Sequence, residues 1–406
     1  KRYIGEAKVL RAYNYYELYT KFGDVPYTTK VLSIKESMSI ARTDRATVIA
    51  NMLADLDEVI NGNYLPASYD ADNKGRITRW AAMAIKAKIY LFEGNWTQVK
   101  NITSTIMTEG GFRLFGSYAG LFEIANEYNS EVILDAQYRP TSREHQMMYA
   151  FLPPSLGGYS QLSPLQELVD SYIMLDGKTI RETGTSFDES NPYANRDPRL
   201  KATVMYTGNS YTLADGTEVV INCEKGEGKD GYGVGSDCSA TGYYIKKYWD
   251  NTYRATLYSG LNPILIRYAD ILLMNAEALA ELGELDKTAW DATIKPIRDR
   301  AGFTLASAVE FPEGASKDKL IEIVRNERRS ELALEGHRHK DIIRWRIADN
   351  VLNGWCHGLK TNDVVGTDDG YVRVENRTFN ANRHYLWPIP QAERDLNGNL
   401  EQNPNW

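Results

Sequence analysis

Histidines, cysteines and carboxylates are the side chains that most often do chemistry, and their spacing in this chain offers little to catalysis. The five histidines are His145, His337, His339, His357 and His384. His337 and His339 lie two apart, so on a helix they point about 200° from each other. They do not make the i, i+4 pair that shares a metal. The chain contains no G-x-S-x-G elbow and no Walker loop. Gly226, Gly228 and Gly231, with Gly233 and Gly235 behind them, give a loose G-x-G-x-x-G match. It follows no clear strand and opens no helix, so a flexible loop is expected there rather than a dinucleotide site. Cys223, Cys238 and Cys356 are too few for a disulfide framework or a zinc site. Cys223 and Cys238 bracket the glycine-rich loop, and a bridge or two free thiols fits equally. Carboxylates are plentiful, and spacing alone leaves a glycosidase-like pair open without picking one out. No metal, no cofactor and no catalytic residue is expected.

The charge pattern of residues 320–346 is more informative. Leu320, Ile321 and Val324 open an amphipathic helix, and then residues 325–331 contain no apolar side chain. Glu327, Glu331 and Glu335 stack at i, i+4 and i+8, and Arg325 and Arg329 stack on another face. Like charges at that spacing weaken an isolated helix. The counter-charges must therefore come from elsewhere, with Arg267, Arg338, Arg344 and Arg346 as the expected sources. Leu332, Leu334, Ile342, Ile343 and Trp345 crowd the same stretch. Glu327, Arg328 and Glu331 are accordingly expected to be buried and paired, with the helix broken at Gly336.

A net charge of −7 gives no reason to expect nucleic acid or anionic lipid as a partner. Tyrosine is heavily used, 27 against 10 Phe, which suits rings that are half wet. No apolar run reaches the length of a membrane span, and no signal peptide is visible. The chain opens inside a helical pattern without an initiator Met, so we read it as the later part of a longer protein whose targeting information lies before Lys1.

These residues need elements to hold them, and most are helical. Residues 5–19 carry Ala7, Leu10, Ala12, Tyr15 and Leu18 at helical spacing, and Gly23 and Pro26 close that helix. Thr43 is a suitable N-cap for the next, which runs from Val48 to Ile60. Two later stretches resemble each other. Residues 77–93 and 96–108 predict two helices around Gly94-Asn95, and residues 264–282 and 286–300 two more around Gly283-Glu284. Ala87 precedes Gly94 by seven residues, as Ala276 precedes Gly283. A small residue lets paired helices approach, and the glycine permits a left-handed turn. That is the pattern of stacked helix pairs, as in tetratricopeptide repeats. Residues 131–138 predict a short strand, 139–165 a long loop, and 218–222 and 243–248 short β runs. From 353 to 406 the chain reads as loop-rich. The expected fold class is mainly α, with tetratricopeptide-like helix pairs, long irregular loops and a few short β-strands. Three portions follow: 1–110 helical repeats, 111–260 a loop-rich insertion, and 261–406 a C-terminal portion.

Several stretches together resemble the SusD/RagB family: GEAKVLRAYNYYELYTKFGDVPY, SPLQELVDSYIMLDGK, NRDPRL, NPILIRYADILLMNAEALAELGE, RNERRSELALEGHRHKDIIRW and PIPQAERDLNGNLEQNP. They run in family order from Gly5 to Pro404. The resemblance implies a single SusD-like domain, an α-α superhelix lacking its N-terminal part. It also implies a non-catalytic lipoprotein on the outer face of the outer membrane. Such a protein binds a nutrient, often an oligosaccharide, and caps a SusC-like TonB-dependent transporter. The lipid anchor would lie before Lys1.

Sugars stack their C–H faces on aromatic rings, with polar groups on the hydroxyls, and loops on a rigid scaffold supply both. The loop 138–161 offers Tyr138, Arg139, His145, Tyr149, Phe151, Tyr159 and Gln161; a second region offers Trp249 and Tyr253. The expected ligand-binding residues are Tyr138, Arg139, Tyr149, Phe151, Tyr159, Trp249 and Tyr253. Two other functions remain open at this point: a helical scaffold that binds protein or peptide partners, and a glycan-cleaving enzyme.

Overall fold

The computed structural model describes residues 1–252 and 257–406. They group into two units. The first comprises Lys1–Gly111, His339–Asn353 and Thr378–Trp406; the second comprises Phe112–Arg338 and Gly354–Arg377. The architecture is mainly helical with small antiparallel sheets. No helix among the described residues is long and apolar enough to cross a membrane.

In the first unit, helix Arg2–Phe22 buries Gly5, Val9, Ala12, Tyr16 and Tyr19, a stripe with alternating steps of four and three. It packs on helix Arg45–Asn61, which buries Val48, Met52, Leu56 and Val59. That second helix is capped by Asp44 rather than Thr43. The Asp44 carboxylate accepts from the amides of Ala46 and Thr47, while Thr43 is drawn into an extended bridge with Val25. Helix Arg79–Phe92 turns at Gly94 (φ +69°) into helix Trp96–Glu109, which packs back against it. Ala87 is fully buried in this pair. The expected helix pair is thus present.

In the second unit, helices Tyr268–Leu282 and Lys287–Ala301 form the other pair, with Gly283 at φ +74°. The expected helix over 264–282 is corrected at its start: Ile264–Arg267 is a strand, antiparallel to Val132–Asp135. Two isoleucines after Pro263 favour extended backbone. The stretch 139–165 is also less irregular than expected, since it holds helix Met147–Phe151 and a 3-10 turn, Pro154–Leu156. The reading of 353–406 as loop misses a hairpin, Gly354–Lys360 with Tyr371–Arg377, which Thr367–Asp368 extends to three strands. Cys223 and Cys238 are free thiols.

Helix Lys317–Glu331 carries the charge run, and it stops at Glu331, before Gly336, with Leu334 at φ +63° and Gly336 at φ +81°. Its carboxylates are buried and paired, as expected. Arg267 donates to Glu331 at 2.6 Å, to Glu131 at 2.7 Å and twice to Glu335 at 2.7 Å. Arg199 bridges Glu327 at 2.6 Å and Glu331 at 2.8 Å while holding Asp197. Arg298 takes the other oxygen of Glu327, Arg300 reaches Glu331 and Glu131, and Lys247 reaches Glu335. Arg328 pairs with Asp270 at 2.6 Å. Of the expected counter-charges, Arg267 is central, whereas Arg344 pairs with Asp341 and Arg346 lies over the Tyr385 ring. Arg199, Arg298, Arg300 and Lys247 were not among the expected partners.

Burial alone would raise the Glu331 carboxyl, yet Arg300, Arg267 and Arg199 outweigh it and hold it well below the usual range. Glu327 and Glu335 are lowered in the same way against their own burial. Burial pushes the Lys247 ammonium down to about 8. Removing one member of such a set leaves buried charges without partners. Glu331→Gln is therefore expected to cost about 3–5 kcal/mol, measured by urea unfolding beside the exposed control Glu322→Gln. Acid acts on the same groups. Carboxyls of the unfolded chain protonate near pH ~4, ahead of the lowered native ones. Stability should hold above about pH 5 and decline below it as the unfolded state takes up protons.

Candidate functional site

The loop 138–161 begins where the strand Val132–Asp135 ends. The Tyr138 amide donates to Asn262 at 2.6 Å, and Asn262 donates to Asp135 at 3.0 Å. His145 and Ser259 form an antiparallel bridge, and the His145 Nε2 donates to the Leu261 carbonyl at 2.8 Å. Ser259 in turn donates to the buried Asp250 at 2.5 Å. The loop is therefore tied to the 259–262 segment before it reaches helix Met147–Phe151.

Beyond that helix the chain doubles back. The Tyr159 amide donates to the Tyr149 carbonyl at 2.9 Å, which brings the two rings into a stack 4.1 Å apart and 23° from parallel. Tyr159 is 40% exposed. Gly158 makes this fold-back possible, because a Cβ there would lie 2.1 Å from the Leu152 carbonyl oxygen. Its role is close approach to the protein's own chain.

The other expected residues divide. Tyr138 stands edge-on to His145 at 4.7 Å with the Arg143 guanidinium 5.4 Å from its ring, and Arg139 is exposed beside it in a tight Arg139–Arg143 turn. Phe151 packs against two buried clusters, one around Met148 and Leu152 and one around Tyr118 and Phe122. Trp249 leans on Tyr211 at 4.8 Å, and its Nε1 donates to the Thr212 carbonyl at 2.8 Å. Tyr253 lies outside the described residues. The structure thus joins Tyr149 to Tyr159 and sets Tyr138 beside Arg139, while the rings of Phe151 and Trp249 serve packing.

Sequence reasoning passed over a different group. A cleft of about 720 Å³ is lined by Gln166, Tyr193, Tyr243, Lys360, Asn362 and Tyr371 among others. The tyrosine excess was the available signal, but these residues come from five separated stretches of the chain, and local spacing does not connect them.

Each unit thus contains a pair of packed helices, and the second adds an aromatic loop and a polar cleft. Residues 121–406 match the model of the SusD family, and residues 1–91 match a model described as starch-binding and associating with the outer membrane. The chain belongs to the SusD family. It is 30% identical to a SusD-like carbohydrate-binding protein from Bacteroides fragilis of solved structure, with a TM-score of 0.88 over 98% of this chain and 80% of that one. A second SusD-like protein from the same species is 28% identical, with a TM-score of 0.84, over 100% of this chain and 80% of its own. The SusD-like protein P25 of Formosa agariphila is 28% identical over 86% of this chain. This chain spans 64% of that relative's length.

The two kinds of aromatic position should separate by stability. Phe151→Ala is expected to cost about 3 kcal/mol, whereas Tyr159→Ala should cost under about 1 kcal/mol. Thermal melts of the two variants beside the parent would check this.

Proposed function

We propose that this protein is a carbohydrate-binding component of the outer-membrane surface that captures an oligosaccharide and passes it, uncleaved, to a SusC-like TonB-dependent transporter. A lipid anchor on a preceding segment would hold it there. The observation that carries the reading is the Tyr149–Tyr159 stack. An exposed ring braced by a second ring presents a flat apolar face at little entropic cost, which is what the C–H face of a sugar needs. Arg139, exposed nearby in sequence, supplies several donors in one plane for vicinal hydroxyls. Family membership and the likeness to the carbohydrate-binding SusD-like protein of Bacteroides fragilis support the same reading.

Capture without cleavage is supported by how the conspicuous carboxylates are used. The side chains of Glu327, Glu331 and Glu335 are buried, ion-paired and held ionised. A glycosidase needs one carboxyl kept protonated and in reach of the sugar. Glu127 and Asp135 do have carboxyls raised by burial. Both, however, are engaged by Asn262, at 2.7 Å and 3.0 Å.

Incubation with maltohexaose and other glycan hexamers should release no new reducing ends, while titration calorimetry should detect binding. Tyr149→Ala and Tyr159→Ala should each weaken that binding by about 1–3 kcal/mol, as loss of one stacked ring does elsewhere. Turnover abolished by Glu127→Gln or Asp135→Asn would instead make the protein an enzyme. Retention of full affinity by both tyrosine variants would move the ligand off this loop. The lipidated full-length protein should copurify with a TonB-dependent transporter from detergent-extracted outer membranes.

A further inference from the structure

We infer that the cleft beside the Gly354–Lys360 and Tyr371–Arg377 hairpin is a second carbohydrate site, which takes a short neutral oligosaccharide or the end of a longer chain. The inference rests on the carbohydrate reading above and adds a place and a charge class to it.

The volume of about 720 Å³ lies within the range of small-ligand pockets and exceeds what a single hexose needs. The back wall is a relay of oriented hydroxyls. Tyr243 donates to the Gln166 carbonyl oxygen at 2.5 Å, and the Gln166 amide donates to Asp170 at 2.6 Å. The Tyr193 and Tyr243 hydroxyl oxygens are 3.3 Å apart. With the Tyr243 proton committed to Gln166, Tyr193 must be the donor in that contact. Its own oxygen is left with lone pairs for a ligand hydroxyl. Tyr206 stacks on Tyr193 at 3.9 Å and 17°, which fixes the ring. Burial pushes both phenols of the relay up, so they remain neutral donors and acceptors. Asn191 and Asn362 stand exposed at the margin with amides that both donate and accept.

The facing wall is equally fixed. The Leu359 amide donates to the Thr241 carbonyl at 2.7 Å, and Leu359 fits against Gly242, where a Cβ would collide with its side chain. His357, two residues before, lies between Glu167 at 2.8 Å and Asp368 at 3.0 Å. The hairpin is thus pinned to the body of the unit and is preorganised to receive a ligand.

The charges select against anions. Glu189, Glu224 and Asp363 line the cleft against Lys225 and Lys360, and both lysines are already paired, Lys225 with Asp363 at 2.5 Å and Lys360 with Glu189 at 2.9 Å. An acidic sugar would meet three carboxylates and no unengaged ammonium among these lining groups. A neutral sugar meets amides, phenols and two exposed ion pairs. Such pairs are worth only about 0–1 kcal/mol, so they can rearrange as it enters.

The test is calorimetry with the neutral hexamers of glucose (α-1,4, β-1,3 and β-1,4 linked) and of xylose, and with hexagalacturonate as the anionic probe. Asn362→Trp, which fills the mouth from an exposed position, should weaken binding of a neutral hexamer by at least about tenfold at an unchanged melting temperature. Tyr193→Phe and Tyr371→Phe should each weaken it several-fold. The Tyr149→Ala/Tyr159→Ala double variant should keep the binding that Asn362→Trp removes. Hexagalacturonate should bind at least about tenfold more weakly than the best neutral hexamer. Neutral hexamers that bind the parent and Asn362→Trp alike would overturn the cleft while leaving the carbohydrate reading intact. Tighter binding of hexagalacturonate would overturn the charge class. No binding of any hexamer by the parent would overturn both.

Discussion

The second unit depends on one contact, the carboxylate of Glu331 held by three guanidinium groups. Arg199, Arg267 and Arg300 arrive from a short helix, a strand end and the close of a helix pair, and each is almost completely buried. A buried carboxylate is costly to desolvate, and it is tolerable only when its partners are in place. The contact therefore works as a check on assembly. A strand slipped by one residue would turn Arg267 to the other face and leave Glu131, Glu331 and Glu335 short of charge. Hydrophobic burial supplies the driving force for folding, while the charge set decides which of the compact arrangements is acceptable.

The same set fixes the geometry of the ligand-facing parts. Strand Ile264–Arg267 delivers Arg267 to the network and pairs with Val132–Asp135, from which the aromatic loop departs. Helix Pro198–Thr203 delivers Arg199 and follows the segment that carries Tyr193. Loops that hold rings for a ligand gain precision from a rigid base, and here the base is ionic as well as apolar.

Much of this was legible in the chain, for reasons that differ by element. The helix pairs were visible because their apolar period is long and their turns need glycine. The charge run at 325–335 was visible because a helix cannot satisfy like charges four apart on its own. Its partners were mostly hidden: Arg199 and Lys247 sit in segments whose local pattern says nothing about which distant carboxylate they meet. Ile264–Arg267 was misread because an apolar run of that length suits a strand or a buried helix equally, and only pairing with residues 132–135 decides between them. The 354–377 hairpin lacks a clean alternation, since Gly354, Gly358 and His357 interrupt it. The exposure of Tyr159 against the packing of the half-buried Phe151 turns on a fold-back at Gly158 that spacing does not reveal. The cleft was out of reach altogether, because Gln166, Tyr193, Tyr243 and Tyr371 meet only in three dimensions.

Within the ion-pair network around Glu331 the charges balance five to five: Glu131, Asp197, Glu327, Glu331 and Glu335 against Arg199, Lys247, Arg267, Arg298 and Arg300. Such a set obeys a parity rule. A single substitution makes the interior odd, and only a compensating change elsewhere in the set makes it even again. These positions should therefore be inherited as a block through lineages whose binding loops diverge freely. A homologue that has lost one member should reveal, by the second position it changed, which pair of charges its ancestor gave up together.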